Sequence, residues 1–147
     1  MEIEKKYLVE KLPDSLERYK KVRFRQGYIS THPVLRLRSF ADEFIFTFKN
    51  GCGIEREEFE SNLTRGQFSQ LWKLITGKVI VKDRYYIPIA NRLVAELDVF
   101  QEHLYGLITV EVEFISVEQA ESFIPPKWFG KDISMDKNYY NSTLSKN

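Results

Sequence analysis

Cysteine is almost absent from this chain. Cys52 is the single one among 147 residues, which excludes an internal disulfide and fits a reducing compartment. It lies between Gly51 and Gly53 with no Cys or His at metal-ligand spacing, and reads as a turn residue rather than a reactive thiol. Histidine is scarce too. His32 and His103 sit in expected turns without a spaced partner and read as loop residues. No stretch approaches the roughly 20 apolar residues of a membrane span, and the charged start Met1-Glu2-Ile3-Glu4-Lys5-Lys6 lacks the apolar run of a signal peptide. A soluble, cytoplasmic protein without a membrane partner is therefore expected. An excess of one charge sign is missing as well. Lys plus Arg number 22 against 21 for Asp plus Glu, a net charge of +1, which argues against a nucleic-acid binder that works through a basic field.

What is present is enough for one domain spanning 1–147. Hydrophobic residues make up 43% and charged residues 29%, so the chain can bury a core. The dominant pattern is period-two alternation, which predicts strands at 2–9, 21–29, 34–40, 43–49, 54–60, 79–88, 92–100 and 108–115. Thr31-His32-Pro33, Ala41-Asp42 and Asn50-Gly51-Cys52-Gly53 supply turns between successive strands. Such short connections imply antiparallel neighbours. Helical spacing is confined to 64–76, with Phe68, Leu71, Trp72 and Ile75 on one face and Gly77 as its stop, and to 117–123 behind Ser116 and Gln119. A helical turn is expected near Pro13 or Asp14, and a short helix or strapping segment within 127–147. These elements predict an α+β domain whose eight strands curl into a closed antiparallel barrel with a few flanking helices; an open sheet with one covered face is the alternative.

Residues two apart in a strand share a face. On that rule Glu2, Glu4 and Lys6 project together, as do Arg36 with Arg38, Thr47 with Lys49, and Arg56 with Glu58 and Glu60. Lys82 with Arg84, Glu96 with Asp98, and Glu111 with Glu113 follow. The opposite faces are apolar, as in Leu35 and Leu37, Phe46 and Phe48, or Val110, Val112 and Phe114. An ordinary half-wet sheet explains any one strand. It explains the set less well, because this face is almost purely ionic and its signs are sorted by strand. Eight cations, counting Lys137, stand against eight carboxylates.

If that face points into the barrel, the lumen must be wet, internally paired or filled by ligand, because buried unpaired charge is very costly. Many Lys and Arg suit a multiply charged phosphate chain. Clustered carboxylates oppose such a chain unless a hard divalent cation lies between, and Mg²⁺ is commonly held by a few carboxylates plus phosphate oxygens. The two sets together point to a metal–polyphosphate complex.

Glu2-Ile3-Glu4-Lys5-Lys6 resembles the ExExK signature of the CYTH, or triphosphate tunnel metalloenzyme, superfamily. Further elements resemble it in order: Gln26-Gly27-Tyr28, Leu35-Arg36-Leu37-Arg38, Thr47-Phe48-Lys49, Arg56 to Glu60, Lys82 to Tyr86, Glu96-Leu97-Asp98, Glu111 to Phe114 and Asp136 to Asn141. The likeness covers essentially the whole chain and is closest to the small bacterial tripolyphosphatase-type members. It implies an eight-stranded tunnel that binds triphosphate with Mg²⁺ or Mn²⁺.

By that resemblance Glu2, Glu4, Glu111 and Glu113 would hold the metal, with Asp98 close by. Lys6, Arg36, Arg38, Lys49, Arg56, Lys82 and Arg84 would bind phosphate oxygens, and Lys137 would reach in from the tail. Lys6, Glu60 and Glu113 are the catalytic candidates: Lys6 for developing charge, either carboxylate for orienting or deprotonating the attacking water. Glu58, Glu60 and Glu96 are equally suited to orient a neighbouring cation, and Tyr28 to line the tunnel or its wall. Trp72 is expected in the core, and Trp128 as an anchor of the tail. Hydrolysis of inorganic or nucleoside triphosphate to orthophosphate is the favoured function. An adenylyl cyclase forming cyclic AMP and pyrophosphate, or a non-catalytic polyphosphate-binding module, are the alternatives. A monomer or a homodimer fits.

Overall fold

Alternation of apolar and ionic side chains produces eight strands: β1 (Glu2–Leu8), β2 (Lys20–Thr31), β3 (Val34–Phe40), β4 (Glu43–Asn50), β5 (Glu55–Asn62), β6 (Thr76–Pro88), β7 (Val94–Phe100) and β8 (Ile108–Glu113). They come from a computed structural model that describes residues 1–51 and 54–146. The turn reading of Cys52 and Gly53 lies outside the described residues.

The strands close into an antiparallel barrel in the order β1-β5-β4-β3-β2-β6-β7-β8, the expected fold class. Two meanders, β2 to β5 and β6 to β8, need only short turns. β1 then bridges them, pairing along its length with β8 but touching β5 only through Glu2↔Arg56 and Ile3↔Glu55. Beyond that seam its free edge is taken up by the C-terminal segment. Leu8 N–H donates to Lys131 O at 2.9 Å, Gly130 N–H to Leu8 O at 2.7 Å, and Ile133 N–H to Lys6 O at 2.8 Å. Among the described residues, β5, β8 and the tail together leave β1 no free backbone edge.

Closure puts the ionic face inside and the apolar face outside, so the hydrophobic core is external to the lumen. Tyr7, Ala95, Leu97, Val110, Val112 and Phe114 form one buried cluster with Ala120 of helix α2 (Val117–Glu121) and with Phe129. Trp128 packs against this cluster and so anchors the tail to the barrel's outer face as expected. Helix α1 (Arg65–Trp72) covers the opposite side, its Phe68 packing on Phe44 of β4. A reciprocal capping box between Thr64 and Gln67 starts α1. Trp72, expected in the core, is half-buried and stacks on Phe68.

α1 ends earlier than the expected 76, because Thr76 and Gly77 belong to β6. Gly77 does not cap the helix. It takes φ +70, and a Cβ there would lie 2.5 Å from Ser145 O, while Lys78 N–H donates to that oxygen at 2.6 Å. The helical turn expected near Pro13 is one turn of 3-10 helix at Leu16–Arg18. The tail holds a similar turn at Lys137–Tyr139 and a short helix α3 (Asn141–Leu144). Leu144 packs with Tyr28, Ile80 and Phe100, so the tail closes one end of the barrel.

Gly77→Ala is expected to lower stability by about 1–3 kcal/mol, through left-handed strain and the clash with Ser145 O; chemical denaturation measures it. On the outer wall Arg23 donates twice to Asp83, at 2.8 and 3.0 Å. These bonds hold the Asp83 carboxyl below its ordinary value. With the Arg23 side chain 59% exposed, Asp83→Asn is expected to cost about 0.5–1 kcal/mol at neutral pH. A depressed acid contributes its stability above its unfolded pKa, near 4. The gap between wild type and variant should therefore close as pH falls below that value and Asp83 protonates in the folded state.

Candidate active site

The barrel encloses a cavity of about 230 Å³ whose wall carries six cations, Lys6, Arg36, Arg38, Lys49, Arg56 and Arg84. Seven carboxylates share it: Glu2, Glu4, Glu58, Glu60, Glu96, Glu111 and Glu113. Strand register sorts them. Glu4 lies opposite Glu113, and Glu111 has Lys6 on one side and Glu96 on the other, so β1, β8 and β7 form a largely acidic wall. Arg36 and Arg38 on β3 and Lys49 on β4 face it from across the lumen. Glu60 and Glu113 mark the accessible mouth; Lys6 and Glu111 lie deep, with side chains 11% and 12% exposed.

Each buried carboxylate is drawn to a cation. Lys49 Nζ is 2.9 Å from Glu2 and 3.5 Å from Glu58, Arg56 is 3.2 Å from Glu4, and Lys6 is 3.6 Å from Glu111. Lys6 Nζ also donates to Tyr139 O at 2.8 Å. Arg36 donates to Thr47 Oγ1, whose hydroxyl donates to Glu60 at 2.9 Å. The pairing is incomplete, since Arg36 and Arg56 each keep a buried Nε–H without a partner among the described residues. Burial first, and the Glu111 carboxylate second, push the Glu4 carboxyl up to about 8. Burial likewise raises Glu2, with Glu58 adding to it, and Glu113, with Glu2 adding to it. At Glu111 burial also opposes the charge, but Lys6, Arg84 and Lys82 outweigh it and hold the carboxyl well below its ordinary range.

Glu2, Glu4 and Glu113, whose charge burial opposes, are hard oxygen donors of the kind that suits Mg²⁺ or Mn²⁺. The wall supplies a second reason. Six cations against seven carboxylates leave no surplus positive charge for an incoming polyanion. Among the described residues no three His, Cys, Asp or Glu side chains are gathered closely enough to hold an ion. The cations occupy those carboxylates instead.

Three expected site residues do not line this cavity. Lys82 and Asp98 point inward but lie in the packed end of the barrel, 0% and 1% exposed. Lys82 Nζ is 2.8 Å from Asp98, whose two oxygens also accept from Arg84 Nε and Nη2 at 2.8 and 2.9 Å. Asp98 is thus spent on orienting Arg84, and Arg84 alone of this trio reaches the cavity wall, 3.5 Å from Glu96. Burial lowers the Lys82 ammonium to about 7. Lys137 is exposed, because the tail turns there before the residues that follow enter the barrel end that Leu144 closes. In its place Tyr140, Asn141 and Ser142 line the cavity, as does Ser134. Sequence reasoning missed these four: the tail has no strand periodicity, and only its cation was singled out.

Asp98→Asn should destabilise the ligand-free protein by about 3–5 kcal/mol, as expected when one partner of a buried ionic network is removed. A role in metal binding alone would leave stability without added metal unchanged. Urea unfolding in the presence of a chelator separates the two.

No protein-family model matches the chain. It is 41% identical to an inorganic triphosphatase of Nitrosomonas europaea over 147 residues, covering 98% of this chain and 96% of the relative. An inorganic triphosphatase of Acetivibrio thermocellus is 31% identical over 153 residues, covering 99% and 94%. A solved structure of an inorganic triphosphatase superposes with a TM-score of 0.73 at 39% identity, over 100% of this chain and 95% of that one. At this identity over nearly full length, and with the same barrel, the chain belongs to the family of these inorganic triphosphatases.

Proposed function

We propose that the chain hydrolyses the phosphoanhydride bond of a triphosphate, inorganic triphosphate foremost, as a small bacterial tripolyphosphatase-type member of the triphosphate tunnel metalloenzymes, and that it does so in the cytoplasm. The observation that carries this reading is the cavity wall, with cations and carboxylates on facing strands of one closed barrel. The inorganic triphosphatase relatives support the substrate class.

Glu2, Glu4, Glu111 and Glu113 would hold Mg²⁺ or Mn²⁺. When bound, the ion offsets negative charge shared by carboxylates and phosphates and polarises phosphoryl oxygens. Everything else falls to the chain's own side chains. Arg36, Arg38, Lys49, Arg56 and Arg84 bind phosphate oxygens, with Arg84 held in fixed orientation by Asp98. Substrate competes for cations that are otherwise paired with carboxylates, so binding exchanges partners instead of desolvating bare charges. Lys6, deep in the cavity and anchored by Tyr139 O, stabilises negative charge that grows on the phosphoryl group. Glu60 and Glu113 stand at the mouth, where water has access, and either can orient the attacking water or accept its proton. Partial burial and the nearby Glu2 carboxylate raise the Glu113 carboxyl in the ligand-free barrel.

The test is incubation of the purified protein with tripolyphosphate, ATP and thiamine triphosphate, with Mg²⁺ or Mn²⁺, followed by resolution of the products. Orthophosphate release is expected. Cyclic AMP with pyrophosphate would instead identify a cyclase, and no turnover of any substrate would identify a binding module. Lys6→Ala and Glu4→Gln are each expected to lower turnover about a hundredfold or more, measured on the fraction that remains folded by circular dichroism; near-wild-type rates would remove both from the machinery.

A further inference from the structure

The strand residues that line the cavity are held mainly by groups of opposite charge, but Arg38 is held by a neutral one. Its Nε–H donates to Gln26 Oε1 at 3.1 Å, and Gln26 Nε2 donates to Tyr28 Oη at 3.1 Å. Gln26 is 0% exposed and Tyr28 2%. Both residues project inward from β2, with Arg38 directly across on β3. The chain bulges between Gln26 and Tyr28 on the side facing β6, and again between Tyr28 and Ser30 on the side facing β3. These irregularities set Tyr28 on the cavity wall beside Arg36 and Arg38.

We propose that Gln26 is a positioning residue that sets two substrate-facing groups at once, the guanidinium of Arg38 and the hydroxyl proton of Tyr28. The inference rests on the triphosphatase reading and deepens it.

Guanidinium has no acceptor, so the amide oxygen of Gln26 must face Arg38 and its NH₂ must face Tyr28. The amide orientation is therefore dictated by its partners. Tyr28 Oη accepts from Gln26 and makes no other hydrogen bond among the described residues, so its own proton is free to donate to an anion in the cavity. Arg38 Nε is occupied by Gln26, and its guanidinium lies over the Phe24 ring at 4.8 Å. That leaves both Nη groups for phosphate. A neutral amide fixes this arginine without cancelling its charge, whereas Asp98 fixes Arg84 while neutralising it. The difference matters because burial, with Arg36 and Arg84 nearby, already lowers Arg38 to about 9. A phosphate chain supplies the missing counter-charge.

The experiment compares Gln26→Leu, Gln26→Glu, Tyr28→Phe and the doubles carrying Tyr28→Phe, each assayed for orthophosphate release from tripolyphosphate and for the rise in melting temperature caused by tripolyphosphate. Gln26→Leu should lower kcat/KM about ten- to a hundredfold, with both kcat and KM affected. Gln26→Glu, which keeps the shape of the side chain, should be impaired to a similar degree. Its carboxylate accepts from Arg38 and neutralises it, and it draws the Tyr28 proton away from the cavity. In the Tyr28→Phe background either substitution should affect kcat much less than it does alone. Wild-type kinetics in Gln26→Glu would overturn the proposal, as would effects that simply multiply with Tyr28→Phe, since a space-filling role predicts both. If Gln26→Leu fails to fold, Gln26→Glu and its double variant decide alone. Wild-type protein that releases no orthophosphate sinks the triphosphatase reading and this inference with it. An active wild type with an indifferent Gln26 sinks only the inference.

Discussion

Thirteen charged side chains share the wall of one cavity inside a closed barrel, and the need to compensate most of them away from bulk water governs the rest of the molecule. A lone buried charge is prohibitive, but a buried charge with a well-placed partner is tolerable. The pairs Lys49–Glu2, Arg56–Glu4, Lys6–Glu111 and Arg84–Asp98 meet that need across neighbouring or facing strands. The near-zero net charge of the chain is therefore a local property of the lumen as much as a property of the surface. An interior built on mutual compensation also explains why the wall alone has no surplus of positive charge for a polyanion.

Because the lumen is ionic, stability has to come from elsewhere. The apolar faces of β1, β7 and β8 point outward and are buried under α2 and the segment around Trp128 and Phe129, and those of β3 and β4 lie near α1. The helices are thus needed to cover a core that most small barrels keep inside. Such an external core also separates the two tasks. The outer layers hold the wall rigid, and the inner face is left to polar chemistry.

The seam between β1 and β5 has the fewest strand pairs, and the C-terminal segment completes the pairing of β1 beyond it. Residues 130–134 complete the hydrogen bonding of β1, and residues that follow turn into the barrel, where Tyr140, Asn141 and Ser142 become part of the cavity. Closing the fold and closing the site are done by one stretch of chain. Leu144 in its apolar cluster and Ser145 O against Gly77 fix that stretch in place.

Strand periodicity, the ionic inner face, the closed eight-stranded barrel and thirteen of its charged residues were legible in the linear sequence, because a period of two reports directly which side chains share a face. Depth along the barrel was not legible. Lys82 and Asp98 obey the same alternation as Arg84 and Glu96, yet they lie in the packed end, paired with each other, and Asp98 orients Arg84 instead of facing the cavity. Lys137 carries the expected charge but stays outside, while uncharged Tyr140, Asn141 and Ser142 enter. The network through Gln26 is hidden for the same reason, since its meaning depends on Arg38 lying across from it on another strand. Local pattern determines which face a residue takes; only the register between strands and the path of the tail decide how deep it sits and what it meets there.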